Sequence, residues 1–456
     1  MRDLIFLELI NKINLKKGLD IPIYGKADHS YIKSNKQKHF AIKPTDFIGV
    51  IPKLIVKEND LVKAGSSLFF DKNNPEIFFS SPISGKVVSI KRGLKRVIEE
   101  IIILSDEKYI YEDFQCNDIY DRTKLVKTLL SSGLWPLIRQ KPYSTIPNYN
   151  DIPKSIFISS FDSSPLAPSY DFILKDYKED FQFGIDVISR LTKGKLYLNI
   201  DSSSDQNNIF NEITGVVKTI FSGPHPCGNV GVQIHHIEPI NKGESVWYIN
   251  PQDVVTIARL FKTGKVNPLK TIAITGSEVV SPKYIKANIG SSIKELLENN
   301  VRESDNRIIS GNILTGKQVD LDGFIGYYDS QITVLNEGNN YRLLGWLFPS
   351  SNIFSVSPTF LSSFLRRKKF KFNTNNNGEN RPFVVSGQYE KVFPMNIYPV
   401  QLIKSILIED IDKMEELGIY EVSEEDLALC EFVCTSKINV QDIIRRGLNL
   451  VKSECG

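Results

Sequence analysis

Three histidines near the middle of the sequence are candidate metal ligands, namely His225, His235 and His236. We predict that residues 232–237 form a strand, in which successive side chains point to opposite faces. His235 and His236 would then not share one metal ion. No cysteine or carboxylate stands beside them at a metal-ligand spacing. The pattern therefore favours a rigid turn that leads into a strand, and we predict no metal-binding residue here.

The cysteines are a second candidate for chemistry. Cys116, Cys227, Cys430, Cys434 and Cys455 are odd in number and scattered, which is typical of reduced thiols and not of a disulfide framework. A [4Fe-4S] cluster needs four thiolates, whereas Cys430 and Cys434 supply two at a C-x-x-x-C spacing. On a helix these two cysteines would share one face with Leu427, as packing residues do. We therefore predict no cluster.

Lys72 is the third candidate, because it lies between two strand–turn–strand halves, residues 56–72 and 77–90. These halves resemble a lipoyl- or biotinyl-type barrel-sandwich domain, in which a lysine at the hairpin tip carries the cofactor. A carrier protein with a swinging arm on Lys72 is thus one hypothesis. The tip reads Asp-Lys-Asn-Asn-Pro, however, and Asn and Pro are ordinary turn residues, so a plain hairpin is favoured.

Two loops follow predicted strands of a parallel α/β sheet, at residues 161–167 and 221–231. Ligands of such sheets bind beyond the carboxyl ends of strands, so these loops are candidate sites. The glycines of the second loop lack G-x-G-x-x-G spacing, and two prolines remove amide donors that a phosphate would need. No G-x-S-x-G, H-E-x-x-H or P-loop motif occurs. An autonomous hydrolase or NTPase is therefore disfavoured.

The elements that would position these residues alternate between strand and helix. Strands are predicted at residues 155–159 and 196–200, a helix at 183–191, and a second helix that Asn250 caps and Gly264 ends. A strand at 271–276, a capping box at 292–295 and a strand at 307–311 indicate a β-grasp module. A hairpin is predicted from residues 331–335 and 342–347.

The last quarter of the sequence is predicted to be helical, at residues 399–408, 410–417, 423–434 and 440–451. Before it lies a basic, phenylalanine-containing segment, residues 366–372, followed by an Asn-rich run. A solvated, mobile face and a docking role are both compatible with this segment.

Length and composition fit a soluble protein of several domains. The chain has 456 residues, which predicts about three domains. Lys and Arg number 56 and Asp and Glu 53, so the net charge of +3 does not mark a nucleic-acid binder. The longest apolar runs are far shorter than the roughly 18 residues of a spanning helix, and the start is not a signal peptide. We therefore predict no transmembrane segment and a cytoplasmic location.

Several short segments occur in one order along nearly the whole chain, namely GLDIPI (18–23), GLWP (133–136) with Arg139, HP (225–226), VWYINPQDV (246–254), LGW (344–346) and DLALCEFVC (426–434). Together they are similar to the family formed by the A subunits of the sodium-translocating NADH:quinone reductase. The first dozen residues and residues 368–377 depart from the family pattern.

The resemblance implies a multidomain α/β fold. Its parts would be a barrel-sandwich domain at residues 14–104, a Rossmann-like α/β domain at 116–264, a β-grasp (SLBB-like) domain with the hairpin at 265–348, and a basic loop with a helical domain at 349–456. It also implies a cofactor-free peripheral subunit on the cytoplasmic face of the bacterial inner membrane, within a translocase of six subunits.

The complex would oxidise NADH, reduce ubiquinone or menaquinone and export Na⁺. Its FAD, FMN, riboflavin and iron–sulfur groups, and its NADH site, would lie on other subunits. The partners would be the other five subunits, especially the membrane subunit that binds quinone and flavin, and direct contact with the quinone stays open. The alternatives are a free-standing carrier or ligand-binding protein that uses Lys72 or a β-grasp pocket, and the C subunit of an Rnf-type complex.

Overall fold

The computed structural model describes residues 11–32, 36–116, 118–204, 208–338, 345, 353–356, 362 and 369–455. Two short strands come first, β1 (Asn11–Asn14) and β2 (Asp28–Tyr31). Neither joins the barrel that follows them in sequence, since each adds an edge strand to one of the two later sheets.

The first unit is a sandwich of two small antiparallel sheets. One sheet has the order β3-β9-β8-β5 and the other the order β4-β6-β7. Phe69, Phe79, Val87 and Ile101 lie between the sheets with almost no exposed surface. The strands are β3 (His39–Ile42), β4 (Pro52–Leu54), β5 (Leu61–Val62), β6 (Ser67–Asp71), β7 (Phe78–Ser80), β8 (Gly85–Arg92) and β9 (Ile98–Ser105).

The second unit is a sheet covered by helices. Its elements are α1 (Arg122–Ser131), β10 (Arg139–Lys141), β11 (Ser155–Ser159), α2 (Tyr170–Leu174), α3 (Lys178–Ile188), β12 (Lys195–Asp201), α4 (Ile209–Glu212), β13 (Val217–Ser222), α5 (Val230–Ile237), β14 (Val246–Tyr248) and α6 (Pro251–Thr263). The strand order is β1-β13-β12-β11-β14-β10, and only β10 runs antiparallel to its neighbour. The predicted parallel α/β sheet is confirmed.

One prediction for this unit is wrong, because residues 232–237 belong to helix α5 and not to a strand. Their Val and Ile content is typical of strands, but parallel strands need a crossover connection, and α5 supplies the one between β13 and β14. Helix α6 matches its prediction: the Asn250 side chain accepts a hydrogen bond from the Gln252 amide, and Gly264 closes the helix with φ of 70°.

The third unit is a mixed sheet in the order β18-β17-β19-β15-β16-β2. Its elements are β15 (Leu269–Thr275), β16 (Lys283–Asn288), α7 (Ile293–Leu296), β17 (Asn306–Ser310), β18 (Lys317–Val319) and β19 (Gln331–Asn336). Ser292 does precede α7, but its side chain makes no capping hydrogen bond. The predicted capping box is therefore wrong, and the Glu295 carboxylate instead accepts a hydrogen bond from the Lys38 amide (2.8 Å).

Only the first strand of the predicted hairpin, residues 331–335, lies fully within the described part of the chain. Over residues 331–333, β19 already has β15 on one side and β17 on the other. Of the predicted second strand, residues 342–347, only residue 345 lies within the described part of the chain.

The last unit is helical, as predicted. Its helices are α8 (Tyr389–Val392), α9 (Pro399–Leu407), α10 (Ile411–Glu416), α11 (Ala428–Phe432) and α12 (Val440–Cys455). The single helix predicted at residues 423–434 is split into a 3₁₀ turn (Glu424–Leu427) and α11. The 3₁₀ turn begins with a capping box, in which the Asp426 side chain accepts a hydrogen bond from the Ser423 amide. In the described part of the chain no helix has the length and apolar character needed to span a membrane.

Candidate functional site

A small cavity of about 140 Å³ lies where the α/β sheet reverses its strand order. Strands β11 and β14 are neighbours there, although β14 follows β13 in the chain. Sheets of this type bind ligands at such a switch point, beyond the carboxyl ends of the strands. The lining comes from the α/β, β-grasp and helical units, including Arg139, Asp162, His225, Asn312 and Glu425.

The two loops that the sequence singled out, residues 161–167 and 221–231, meet at this cavity. The Ser163 hydroxyl lies 3.0 Å from Nδ1 of His225 and accepts a hydrogen bond from the Gly228 amide (2.8 Å). The amides of Cys227 and Asn229 donate to carbonyls within the second loop. These two donors therefore serve the loop itself and are not directed into the cavity.

His225 is held as a neutral imidazole. Only 3% of its surface is exposed, and its amide donates to Oδ1 of Asp20 (2.9 Å). Burial lowers the pKa of His225 to about 4, and the nearby Asp426 charge opposes this shift only in part. A neutral His225 keeps one ring nitrogen as an acceptor or donor for Ser163 at physiological pH.

Arg139 is the cation of the cavity, and sequence reasoning did not assign it a role. Its guanidinium is sandwiched between the rings of Tyr248 (4.7 Å) and Tyr328 (4.5 Å). No carboxylate among the described residues comes within ion-pair distance of it. The position was visible in the sequence only as a basic residue after the GLWP segment.

Lys141, two residues further along β10, forms a buried ion pair with Asp426 of the helical unit. The distance from Nζ to Oδ2 is 3.1 Å, both side chains have no exposed surface, and Nζ also donates to the Ser423 hydroxyl. Burial acts to lower the pKa of Lys141, but the charges of Asp426 and Glu425 outweigh it and raise the pKa. The ammonium is therefore charged in the folded chain.

The Asp426 carboxylate lies against the first turn of α5. A Cβ built on Gly231 would come within 2.4 Å of Oδ2 of Asp426. Helix N-termini favour negative charge, and the N-terminus of a helix that follows a sheet strand often binds a phosphate. Here the Asp426 carboxylate lies beside Gly231, and its Oδ2 accepts hydrogen bonds from Lys141 and Ser423.

Below the cavity, a buried amide network ties α5 to the sheet. Nε2 of Gln233 donates to Oγ of Ser159 (2.8 Å) and to the carbonyl of Cys227 (3.2 Å), and Oε1 accepts from Nδ2 of Asn199 (2.8 Å). Sequence reasoning missed this network, since Gln233 was assigned to a strand.

His235 and His236 connect α5 to the helical unit. Nδ1 of His235 lies 2.7 Å from a Glu421 oxygen, and its Nε2 accepts from the Asn396 amide (2.9 Å). Nε2 of His236 lies 2.9 Å from the Pro394 carbonyl. No three His, Cys, Asp or Glu side chains of the described ranges are grouped so that they could hold a metal ion.

The cysteines are free thiols, and three of them are buried. Cys430, Cys434 and Leu427 pack in one apolar cluster of the helical unit, as predicted. Burial raises the pKa of the Cys430 thiol, and it raises that of Cys227 to about 12. Both thiols are therefore held in the protonated, unreactive form.

Lys72 occupies the predicted hairpin tip between β6 and β7, with an exposed side chain. The turn is shaped by Asp71, whose carboxylate accepts from the amides of Ile51 (3.0 Å) and Asn73 (3.2 Å) and from the Asn74 side chain (3.1 Å). These contacts are the turn chemistry that the sequence predicted.

Of the basic segment, residues 366–368 lie outside the described part of the chain. Phe370 is buried, and its amide donates to the Pro22 carbonyl (2.7 Å). Phe372 packs against the core of the helical unit. A fully solvated face is therefore wrong for this part, because the phenylalanines anchor it to the protein.

The fold and site define a class of multidomain α/β protein, in which a Rossmann-like sheet, a β-grasp sheet and a helical unit meet at a polar cavity, and a barrel sandwich precedes them in the chain. Three family descriptions match the chain: "NqrA N-terminal barrel-sandwich hybrid domain" at residues 13–106, "NqrA second alpha/beta domain" at 120–266 and "NQRA C-terminal domain" at 271–320.

Relatives match over almost the full length. The A subunit of the Na(+)-translocating NADH-quinone reductase from Glaesserella parasuis is 36% identical over 97% of this chain and 100% of its own length. The protein of the same name from Neisseria meningitidis is 37% identical with the same coverage. This chain belongs to the NqrA family, the A subunits of the Na(+)-translocating NADH-quinone reductase, as the sequence segments indicated.

Among solved structures, a chain of an NAD+-reducing [NiFe]-hydrogenase in the air-oxidised state aligns with a TM-score of 0.41 and 11% identity, over 74% of this chain and 62% of that one.

Proposed function

We propose that this chain acts as the peripheral A subunit of a respiratory complex that oxidises NADH, reduces ubiquinone or menaquinone and exports Na⁺ from the cytoplasm. The observation that carries the proposal is the full-length similarity to relatives named as the A subunit of such a reductase. The chain contributes to assembly and to the quinone-reduction step, as part of an NADH:quinone reductase with translocase activity.

In this proposal the chain carries no electron-transfer group, and the flavins, the iron–sulfur group and the NADH site lie on other subunits. Two observations support it. The amides of Cys227 and Asn229 donate to carbonyls of their own loop, and the thiols of Cys227 and Cys430 are buried and protonated.

The proposed partners are the other five subunits, above all the membrane subunit that binds quinone and flavin, and the proposed location is the cytoplasmic face of the bacterial inner membrane. Five free thiols fit a reducing compartment. The domain boundaries that we propose are 14–104, 116–264, 265–348 and 349–456. Within the first range, the residues up to 32 lie outside the barrel sandwich, because β1 and β2 pair with strands of the two later sheets.

Deletion and co-purification test the proposal. In the native host, loss of the gene should abolish Na⁺-dependent NADH:quinone reductase activity in membranes, and a plasmid copy should restore it. A tagged chain should elute from mild detergent together with flavin-bearing membrane subunits. Unchanged activity after deletion, or elution alone near 51.7 kDa, would contradict the proposal.

The carrier hypothesis has a separate test at Lys72. If the chain carried a lipoyl or biotinyl arm, the intact mass of the native protein would exceed the mass expected from its sequence, and a Lys72→Arg variant would lose the excess. We expect the unmodified mass, because the tip has the contacts of an ordinary turn.

A further inference from the structure

The hairpin between β8 and β9 ends in an exposed turn, residues 91–97, which we call the basic tip. Its sequence is Lys-Arg-Gly-Leu-Lys-Arg-Val. Leu94 is 91% exposed and Val97 50% exposed. Leu94 therefore does not belong to the core of the barrel sandwich, whose strands bury their apolar residues between the two sheets. The basic tip therefore presents apolar surface outward.

Four cationic side chains surround this leucine. Lys91 pairs with Glu100 at 2.8 Å. In the ranges that the structure describes, Arg92, Lys95 and Arg96 have no carboxylate within ion-pair distance, although all three are exposed. The Glu99 carboxylate lies beside Gly93, but it is not within ion-pair distance of these three cations. The basic tip thus combines an exposed leucine with an excess of positive charge.

The backbone of the basic tip is strained at two of these cations. Lys95 and Arg96 have φ values of 52° and 61°, in the left-handed region. Hairpin turns place Gly or Asn at such positions, because a larger side chain costs free energy there. The turn is nevertheless closed by its own hydrogen bonds, from the amide of Gly93 to Val97 (2.9 Å) and from the amide of Val97 to Leu94 (3.2 Å). Strain of this kind at an exposed turn points to a function for the side chains.

The shape of the basic tip favours one kind of partner. It is a turn of seven residues, which by itself is too small to supply the roughly 800 Å² that a stable protein interface buries on each side. An apolar side chain within a ring of Lys and Arg suits the boundary of a bilayer with anionic headgroups, where the cations meet phosphates and the leucine enters the acyl region.

We propose that the basic tip contacts anionic phospholipid at the membrane surface. The inference deepens the proposed function and rests on it, because a lipid contact is useful only to a protein that is held at the membrane. The tip would help to orient the barrel sandwich towards the bilayer.

Vesicle co-sedimentation of the purified full-length chain tests this inference. We expect the chain to bind vesicles of phosphatidylglycerol and phosphatidylcholine at least about tenfold more tightly than vesicles of phosphatidylcholine alone, and to lose this preference in high salt. Equal binding to the two vesicles, or binding to neither, would overturn the proposal.

Variants of the basic tip separate binding from folding. Lys95→Gly with Arg96→Gly relieves the left-handed strain, so its melting temperature should be unchanged or higher, while its affinity for anionic vesicles falls about tenfold or more. Leu94→Ser should weaken binding without removing its salt dependence. The control, Lys57→Ala with Lys127→Ala, removes two exposed charges elsewhere and should change the affinity less than roughly threefold.

Two further outcomes would overturn the inference. If the control lost as much affinity as the tip variant, attraction would come from net charge alone. If the tip variant bound vesicles normally but no longer co-purified with membrane subunits, the tip would be a protein contact. Because the vesicle assay uses the chain alone, its failure is distinguishable from failure of the proposed function, which co-purification and membrane activity report.

Discussion

Lys141 and Asp426 show what a single buried pair does in this molecule. Each is removed from water, a cost that their mutual contact and the Ser423 hydrogen bonds must offset. The pair joins an edge strand of the α/β sheet to the helical unit, and its carboxylate rests on α5. Its main consequence is therefore to fix where the two units meet.

Removing one partner of this pair should cost more stability than removing both charges. We expect Lys141→Met to lower the free energy of unfolding by about 3–5 kcal/mol, because Asp426 is left as an uncompensated buried charge. The double variant Lys141→Met with Asp426→Asn should lose less stability, since the new asparagine side chain keeps its contact with Ser423. Urea unfolding measures both, with Lys127→Met as an exposed control. A single variant as stable as the double variant would refute this account.

Protonation of His225 should make stability depend on pH. Its pKa is about 4 in the folded chain and about 6.5 in the unfolded chain, so the unfolded state binds the extra proton between these values. The contribution of neutral His225 to the free energy of unfolding is fully present above pH 6.5 and is lost as the pH falls towards 4. At pH 5 the loss is about 2 kcal/mol. In His225→Gln the loss of stability between pH 7 and pH 5 should be smaller by that amount. An identical pH profile for the variant would show that other groups are responsible.

At the scale of the element, α5 is the part that holds the site together. Its first turn contacts the Asp426 carboxylate, Gln233 reaches the sheet, and the two histidines near its end contact the helical unit. The absence of a side chain at Gly231 is what lets Asp426 approach so closely. The helix is therefore positioned by contacts on several sides, and its local sequence decides little of its placement.

Filling the space at Gly231 should disturb this junction. In Gly231→Ala the new methyl group would lie 2.4 Å from the Asp426 carboxylate, which must move away from Lys141. We expect a loss of about 1–3 kcal/mol in the free energy of unfolding. Gly378→Ala is the control, because the atoms nearest to its added Cβ lie at ordinary contact distances, the first being a Lys437 side-chain carbon at 3.5 Å. Equal stability of the two variants in urea would contradict the close contact.

At the scale of the whole molecule, residues 11–32 join units that follow much later in the chain. Strand β1 pairs with β13, and β2 pairs with β16. Between these strands, the Leu19 amide donates to the His225 carbonyl (2.8 Å) beside the cavity. Gly25 lies close to Gly276, and a Cβ added to Gly25 would come within 2.2 Å of the Gly276 carbonyl oxygen. The amino-terminal segment is thus part of both later sheets.

A chain that begins at residue 36 should consequently be destabilised in the α/β and β-grasp sheets, and not in the barrel sandwich. We expect the melting temperature to fall by roughly 10 °C or more and amide exchange to accelerate in β13 and β16. A synthetic peptide of residues 11–32, added in excess, should restore both, whereas a scrambled peptide should not. Unaltered exchange in these strands would contradict the role given to the segment.

Local patterns were sufficient for much of the fold. The strand at residues 155–159, the capped helix from Asn250 to Gly264, the turn at Lys72 and the helical carboxyl-terminal unit all depend on periodicity and capping, which neighbouring residues encode. The two loops beyond the strand ends were also found, because parallel strands bring their carboxyl ends to one edge.

The contacts that build the cavity depend on tertiary structure. Lys141 and Asp426 are 285 positions apart, and Ser163 and His225 are 62 apart. Residues 232–237 have strand-like composition, yet they fold as a helix because a parallel crossover requires one. The physical reason is burial. Once the packed units exclude water, the charged Lys141 needs Asp426 as a partner, and the imidazole of His225 stays neutral. Water is excluded only in the folded molecule, so the sequence alone does not reveal either effect.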